Sequence, residues 1–313
     1  MDPIMLQLGP LAIRWYGFLI ASGVFLGTAW AVRAARQRGL DENKLLDMAV
    51  WIVIAALIGA RLVYVLTSPS AYFGPGGNPW NAFKLWEGGI SIHGGVFGVV
   101  IATWLYSRRH NLNMWSYLDV MTPVGALGII GGRIGNFMNG TDTAGRLTNL
   151  PFGFMWPEPG TATWGAVGRF IFGDNLWSAY PGVCSLGSFI NLTDCVAQGG
   201  EIVRGPVHLT QIYGMVVGVI LIPILVKVLR TQAAPGVVFW QFVLWYSVLR
   251  SVIEEPFRDN PLFWQAILAE GPGLPGVGLF TLTQLISVPL VLVALYFILT
   301  APPQETATKT QRT

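Results

Sequence analysis

Charge is what this chain has least of. Of its 313 residues only 11% are Asp, Glu, Lys or Arg, where soluble domains carry about 25%. That scarcity excludes an ordinary water-soluble fold. Histidine is scarce too. His93, His110 and His208 show no ligand spacing, which excludes a histidine-built metal centre, so no metal and no cofactor are expected. Cysteine is limited to Cys184 and Cys195. Internal repeats, a phosphate-cradling glycine loop, a nucleophile elbow, a Ser-His-Asp order and nucleic-acid motifs are all missing. The first 13 residues hold Asp2, Pro3 and Pro10 but no basic stretch, so a cleaved secretory leader is not expected. The first apolar run should therefore remain in the protein as a span.

Apolar sequence fills the space that charge leaves. The chain is 53% hydrophobic, and seven apolar runs stand out at about 13–32, 45–66, 91–107, 116–138, 209–229, 236–253 and 279–299. Runs of about 18–22 residues nearly free of charge are the signal of membrane-spanning helices. The predicted fold is an all-α integral membrane protein with seven transmembrane helices. Basic residues orient it. Arg33, Arg36, Arg38 and Lys44, then Arg108 and Arg109, then Lys227 and Arg230, then Lys309 and Arg312 all fall on one side. The other side has Lys84, and Arg258 offset by Glu255, Asp259 and Glu270. The positive-inside rule puts the N-terminus outside and the C-terminus in the cytoplasm. Residues 1–139 then carry spans one to four, 140–208 form an extracytoplasmic head, 209–300 carry spans five to seven, and 301–313 are a disordered tail. In the head, Cys184 and Cys195 either pair in an oxidising compartment or stay as two free thiols.

Polar residues inside the runs locate a site. They are Tyr16; Arg61 and Tyr64; Glu87 and His93; Arg133, Asn136 and Asn139; His208, Gln211 and Tyr213; Tyr246, Arg250 and Glu254; and Gln284. On the predicted topology each falls in the outer half of its span, and the inner halves hold little beyond anchoring Arg and Lys. A charge at a span centre costs about 2.5–3.5 kcal/mol and usually marks a wet or functional interior. Tyr246, Arg250 and Glu254 follow i, i+4, i+8 spacing and are predicted to share one helix face, with Glu254 orienting Arg250. An Arg250–Glu254 pair would neutralise itself. Arg133, expected unpaired on another helix, argues instead for a bound anion between two guanidiniums, most naturally a phosphate. His93, among glycines, is either a structural hydrogen bonder or a catalyst. The thirteen tryptophans are expected mainly at the membrane interfaces.

These residues resemble the prolipoprotein diacylglyceryl transferase family along all seven runs. The resemblance is strongest at Arg14-Trp15-Tyr16-Gly17, Gly59-Ala60-Arg61 with Tyr64, Trp86-Glu87-Gly88-Gly89 through His93-Gly94-Gly95, Gly132-Arg133-Ile134-Gly135-Asn136-Phe137-Met138-Asn139-Gly140, and Tyr246 with Arg250 and Glu254. It implies transfer of the diacylglyceryl group of phosphatidylglycerol to the lipobox cysteine of a preprolipoprotein signal peptide. A thioether forms and glycerol 1-phosphate leaves, at the outer face of the bacterial cytoplasmic membrane. It further implies that Arg133 and Arg250 hold the lipid phosphate, that His93 and Tyr246 serve the chemistry, and that Tyr16, Arg61, Asn136 and Gly145 bind lipid. Glu254, Asn139 and Gln211 are expected in support. Either His93 or Tyr246 takes the thiol proton, or sets up a hydrogen-bond chain to an acceptor. The partners are then phosphatidylglycerol, the lipobox peptide and the bilayer, with no nucleic acid. The alternative is a non-enzymatic transporter or binder of an anionic lipid.

The chain also departs from the family pattern. Thr141-Asp142-Thr143-Ala144 stands where a glutamate is usual, Leu209 where a proline is usual and Gly214 where a glutamate is usual. Glu255-Pro256 interrupts the usual hydrophobic pair before Arg258.

Overall fold

A computed structural model of the chain describes residues 4–8, 11–67, 69–74, 77–84, 91–139, 145–146, 148, 153–154, 183–184, 199, 202–203, 206–231, 233–258, 262–268 and 277–302. Over these residues the chain is mostly helical. The helices are α1 (Trp15–Gln37), α2 (Glu42–Thr67), a short α3 (Pro69–Phe73), a 3-10 turn (Pro79–Phe83), α4 (Ile92–Arg109), α5 (Met114–Asn139), α6 (Thr210–Arg230), α7 (Val237–Leu249) and α8 (Leu282–Leu299). Among the described residues, five segments are long and apolar enough to cross a membrane: α1, α2, α6, α7 with its continuation to Phe257, and α8. The predicted third and fourth runs are helical as α4 and α5. They are less apolar because α4 carries His93, Arg108 and Arg109 and α5 carries Asp119, Arg133 and Asn136.

Local chemistry sets the helix ends. Gly39 turns α1 off in the left-handed region (φ 67°), with Leu40 N–H donating to Ala35 C=O at 2.9 Å. Asp41 Oδ1 then accepts from Asn43 N–H (2.9 Å) and Lys44 N–H (3.2 Å) and starts α2. The α4–α5 turn works the same way. Asn111 adopts φ 53°, and Asn113 Oδ1 accepts from Trp115 and Ser116 N–H. In both turns a side-chain oxygen satisfies donors that the first helical turn leaves open.

Among the described residues, three two-stranded antiparallel pairs add to the all-helical expectation: β1 (Ile4–Leu8) with β2 (Leu11–Arg14), β3 (Val183–Cys184) with β4 (Ile202–Val203), and β5 (Leu262–Leu268) with β6 (Val277–Thr281). β5 and β6 pair from Leu262↔Thr281 to Leu268↔Val277. The pairing takes Leu279–Thr281 out of the predicted seventh span, whose helix begins at Leu282. The seven residues of β5, with Gln265 among them, are too few for a span.

The chain divides into two compact units, Met1–Gly27 with Thr122–Thr313, and Thr28–Met121. In the second unit α2 lies along α4 on small residues. A Cβ added to Gly94 would overlap the Gly59 carbonyl oxygen. Backbone contact of this closeness is how helices associate where lipid supplies no hydrophobic drive. At the other end of these helices the unit carries a polar cluster. Arg38 pairs with Asp119 at 3.5 Å, Tyr106 OH donates to Asp47 Oδ2 at 3.4 Å, Lys44 Nζ lies 3.3 Å from His110 Nδ1, and Tyr117 OH donates to Asp41 C=O at 3.4 Å. This cluster adds carboxylates to the Arg and Lys residues read from the sequence at these helix ends. Asp119 is fully buried near the start of α5 and needs the Arg38 guanidinium to remain charged there.

In the first unit, Val217, Leu221 and Leu225 of α6 are fully buried, and Trp240 of α7 stacks on Phe297 of α8. Met138 and Val207 form a buried pair joined by Trp15, Ile134, Phe137, Phe154 and Leu209. That packing ties the approach to α6 onto the end of α5.

Candidate active site

α7 does not continue as an α-helix into the predicted Tyr246–Arg250–Glu254 face. At Arg250 it widens into a π-helical turn, Arg250–Glu254, followed by a 3-10 turn, Glu255–Phe257. Glu255 N–H donates to Arg250 C=O, five residues back. Pro256 follows, and it lacks the N–H that would continue the α ladder. The Ser251 carbonyl is taken instead by Gln284 Nε2 of α8 at 2.9 Å. Single π-turns of this kind are frequent at functional sites.

The wider turn separates side chains that α spacing would stack. Tyr246 and Arg250 stay together. Arg250 Nη1 donates to the Tyr246 hydroxyl at 2.7 Å, and the guanidinium carbon lies 5.8 Å from the ring centroid. Glu254 turns elsewhere. Its Oε1 accepts from Arg258 Nη1 at 2.8 Å and forms an ion pair with Arg133 Nη2 of α5. Arg133, expected unpaired, is therefore paired. Glu254, expected to orient Arg250, bonds Arg258 and Arg133 and acts on Arg250 through its charge. The physical reason is the turn itself: its wider step brings Glu255, five positions on, within reach of Arg250 and sends the Glu254 bonds to the other arginines. Glu255 Oε2 lies 3.5 Å from Arg250 Nε.

Arg133 reaches Glu254 across α6 at Gly214. A Cβ at that position would overlap Arg133 Nε and stand 2.9 Å from Glu254 Oε2. The departure from the family glutamate at Gly214 is thus the space through which Arg133 passes.

Among the described residues of this cluster, Arg133, Arg250 and Arg258 stand against Glu254 and Glu255, a surplus of positive charge in a buried place. Glu254 and Glu255 are fully buried. Buried ions cost several kcal/mol each unless paired, so the surplus favours an anionic ligand.

The remaining predicted residues take these places. Tyr16 of α1 packs on α5 at Gly135. Asn136 is half-buried one residue on, and Asn139 ends α5. Gln211 is buried in the first turn of α6. Gly145 forms a β-bridge with Arg258 and lies against the His208 carbonyl. His208, buried, sets Nδ1 2.9 Å from the Tyr213 hydroxyl and its ring 4.6 Å from Phe257. Burial pushes the His208 pKa down. In the second unit, Arg61 near the end of α2 donates from Nε to Ala82 C=O at 2.8 Å, bonds the Asn81 carbonyl through Nη2, and lies over the Tyr72 ring. Tyr64 is half-buried in the last turn of α2, and His93 is the second residue of α4. The His93 and Asn139 side chains, and Glu87, Thr141–Ala144, Asp142 and Cys195, lie outside the described residues, so the pairing of Cys184 with Cys195 does too.

Arg258, Glu255 and Arg146 were not singled out as site residues from the sequence. Arg146 is buried, and its N–H donates to Phe257 C=O at 2.8 Å. The four-residue spacing of Glu254 and Arg258 was a signal for one pair, and Pro256 was a signal for the broken helix. An open groove of about 460 Å³ runs between α7 with its π-turn and α8, lined by Val248, Val252, Val288 and Leu292 with Ser247 and Ser251.

Residues 3–300 match the family described as "Prolipoprotein diacylglyceryl transferase". The chain is similar to the "Phosphatidylglycerol--prolipoprotein diacylglyceryl transferase" of Thermus thermophilus, 47% identical over 295 residues, which cover 94% of this chain and 96% of that protein. It is similar to the protein of the same name from Deinococcus radiodurans, 41% identical over 305 residues, 95% of this chain and 85% of that one. The Thermoanaerobacter sp. protein of that name is 28% identical over 298 residues, 95% and 93% of the two chains.

Proposed function

The chain belongs to the prolipoprotein diacylglyceryl transferase family, and on that premise we propose that it transfers the diacylglyceryl group of phosphatidylglycerol to the lipobox cysteine thiol of a preprolipoprotein. The observation that carries this reading is the arginine cluster at the π-turn, with its surplus positive charge, on a turn whose Ser251 and Val252 also line an apolar groove. A phosphodiester headgroup supplies the missing anion, and an acyl chain suits the groove.

In the reaction the cysteine sulfur attacks the glyceryl carbon that bears the phosphate. The C–S bond forms as the C–O bond breaks, the thiol gives up its proton, and glycerol 1-phosphate departs. Negative charge gathers on the leaving phosphate. Arg250 and Arg133 stabilise it with fixed donors, each such donor contributing about 2.7–4 kcal/mol in a dry site. Arg250 occupies a lone pair of the Tyr246 oxygen, which leaves the phenol O–H free to donate. That arrangement suits Tyr246 to bonding an anionic oxygen, and leaves His93 as the acceptor of the thiol proton. Asn136, Asn139, Gln211 and Tyr16 complete the surroundings, with Gly145 shaping the strand beside Arg258. Arg61, whose donors go to the Asn81 and Ala82 carbonyls, secures the 79–83 segment.

The reading places the protein in the bacterial cytoplasmic membrane as seven spans, with α4 and α5 crossing alongside the five more apolar helices. The N-terminus and the 140–208 head lie outside, and the active site faces the extracytoplasmic side. The distribution of basic residues supports this orientation.

The test is transfer in vitro. Purified protein, phosphatidylglycerol and a peptide with a single lipobox cysteine should yield lipidated peptide and glycerol phosphate together. Phosphatidylglycerol that binds without either product would mark a lipid binder or transporter and overturn the enzyme.

A further inference from the structure

Glu255 is a carboxylate with no place in the reaction as described. It is fully buried, and it stands where the family pattern has an apolar residue. Its two oxygens are used differently. Oε2 faces Arg250 Nε at 3.5 Å, and Oε1 accepts from the Thr281 hydroxyl at 3.0 Å. Thr281 is the N-cap of α8, and its oxygen also accepts from Gln284 N–H at 3.2 Å. The hydroxyl therefore uses both its donor and its acceptor capacity. Gln284 closes the capping box through its Oε1 and, through Nε2, bonds the Ser251 carbonyl within the π-turn. The first turn of α8 thus grips the turn that carries Arg250 at two points. Phe280, just before Thr281, is held at φ 64°. A non-glycine residue there costs roughly 1–3 kcal/mol and persists where its surroundings over-determine it.

We propose that Glu255, held by Thr281, is a positioning residue for Arg250. A guanidinium is a rigid planar fork. Tyr246 holds it by a hydrogen bond at Nη1 and Glu255 draws it by charge at Nε, and the two together set its plane and direct the remaining N–H groups. At 3.5 Å the Glu255 contact is longer than a hydrogen bond, so it orients the arginine while leaving charge available to a phosphate. The π-turn is what makes this work, because it brings the residue five positions on within reach of Arg250. The proposal rests on the reading of Arg250 as a phosphate ligand.

The experiment compares Glu255→Gln, Thr281→Val and the double variant, purified in lipid nanodiscs. Three quantities are read: kcat and KM for phosphatidylglycerol, thermal midpoint, and the Arg250 Nε–H resonance in protein labelled with ¹⁵N-arginine. Glu255→Gln should lower kcat roughly ten- to hundredfold, as misplacement of a catalytic group by about 1 Å does, with KM within about threefold. Thr281→Val should lower kcat less, and the double variant should match Glu255→Gln alone, because Thr281 acts through Glu255. Glu255→Asp should recover part of the loss. The Nε–H resonance should shift in Glu255→Gln. Wild-type kcat and an unmoved resonance, with only a lower thermal midpoint, would show that Glu255 merely staples α7 to α8 and overturn the proposal. If the unmodified protein gives no transfer, the enzyme reading falls, and the Nε–H resonance still decides whether Glu255 holds Arg250.

Discussion

Arg133, near the end of α5, and Glu254, closing the π-turn after α7, form one buried ion pair that Arg258 shares. The pair joins two helices far apart in the sequence at the level where the site is expected. It also explains how a guanidinium is tolerated there: the carboxylate removes most of the cost of burying it, and truncating one partner would restore that cost. Glu254→Gln should therefore harm both folding and activity. A loss of about 3–5 kcal/mol is expected, measured as thermal midpoint in detergent together with transfer rate.

The two arginines should separate from the scaffold by activity. Arg133→Ala and Arg250→Ala are expected to lower transfer by at least about a hundredfold, the scale of losing one oxyanion donor, while both proteins still insert. Arg250→Lys should remain poor because an ammonium lacks the planar fork held between Tyr246 and Glu255. Near-normal turnover by purified Arg133→Ala would falsify the phosphate-site reading.

Gly214→Ala tests the passage of Arg133 over α6. The added methyl meets Arg133 Nε and Glu254 Oε2 at once, and neither can move without opening their ion pair. Transfer should drop roughly tenfold or more, in line with displacement of a catalytic group. Full activity would show that the arginine finds another route.

The pH dependence of stability should carry the mark of His208. Burial holds its pKa below the usual histidine value of about 6.5. The unfolded chain then takes up a proton that the folded chain resists. This contribution to stability is complete above about pH 6.5 and is lost as the pH falls through the folded value. Thermal melts between about pH 5 and 8 should show the midpoint falling on the acid side, and His208→Asn should flatten that part of the curve.

Asp119→Asn tests the polar cluster at the end of the second unit away from Arg61. Removing the carboxylate from Arg38 in a buried place should cost about 3–5 kcal/mol and reduce the yield of folded protein. Activity per folded molecule should stay close to that of the unmodified chain, because neither residue belongs to the arginine cluster.

Much of this protein is determined by its amino-acid order alone. Runs long and apolar enough for a bilayer leave few other folds, since every buried backbone group must be satisfied within a helix. Polar residues inside such runs are costly enough to be worth naming, and Arg133, Tyr246, Arg250 and Glu254 stand out on that ground. Asp41, Asn113 and Thr281 mark helix starts, because a side-chain oxygen there satisfies otherwise open N–H groups. Which carboxylate serves which arginine is settled only in three dimensions. Spacing rules assume one helical pitch, and the break before Pro256 changes that pitch by about one residue per turn. That single change moves Glu254 to Arg133 and brings Glu255 to Arg250. Pairings between distant segments, Arg38 with Asp119 and Thr281 with Glu255, depend on how helices pack, and no local pattern encodes that.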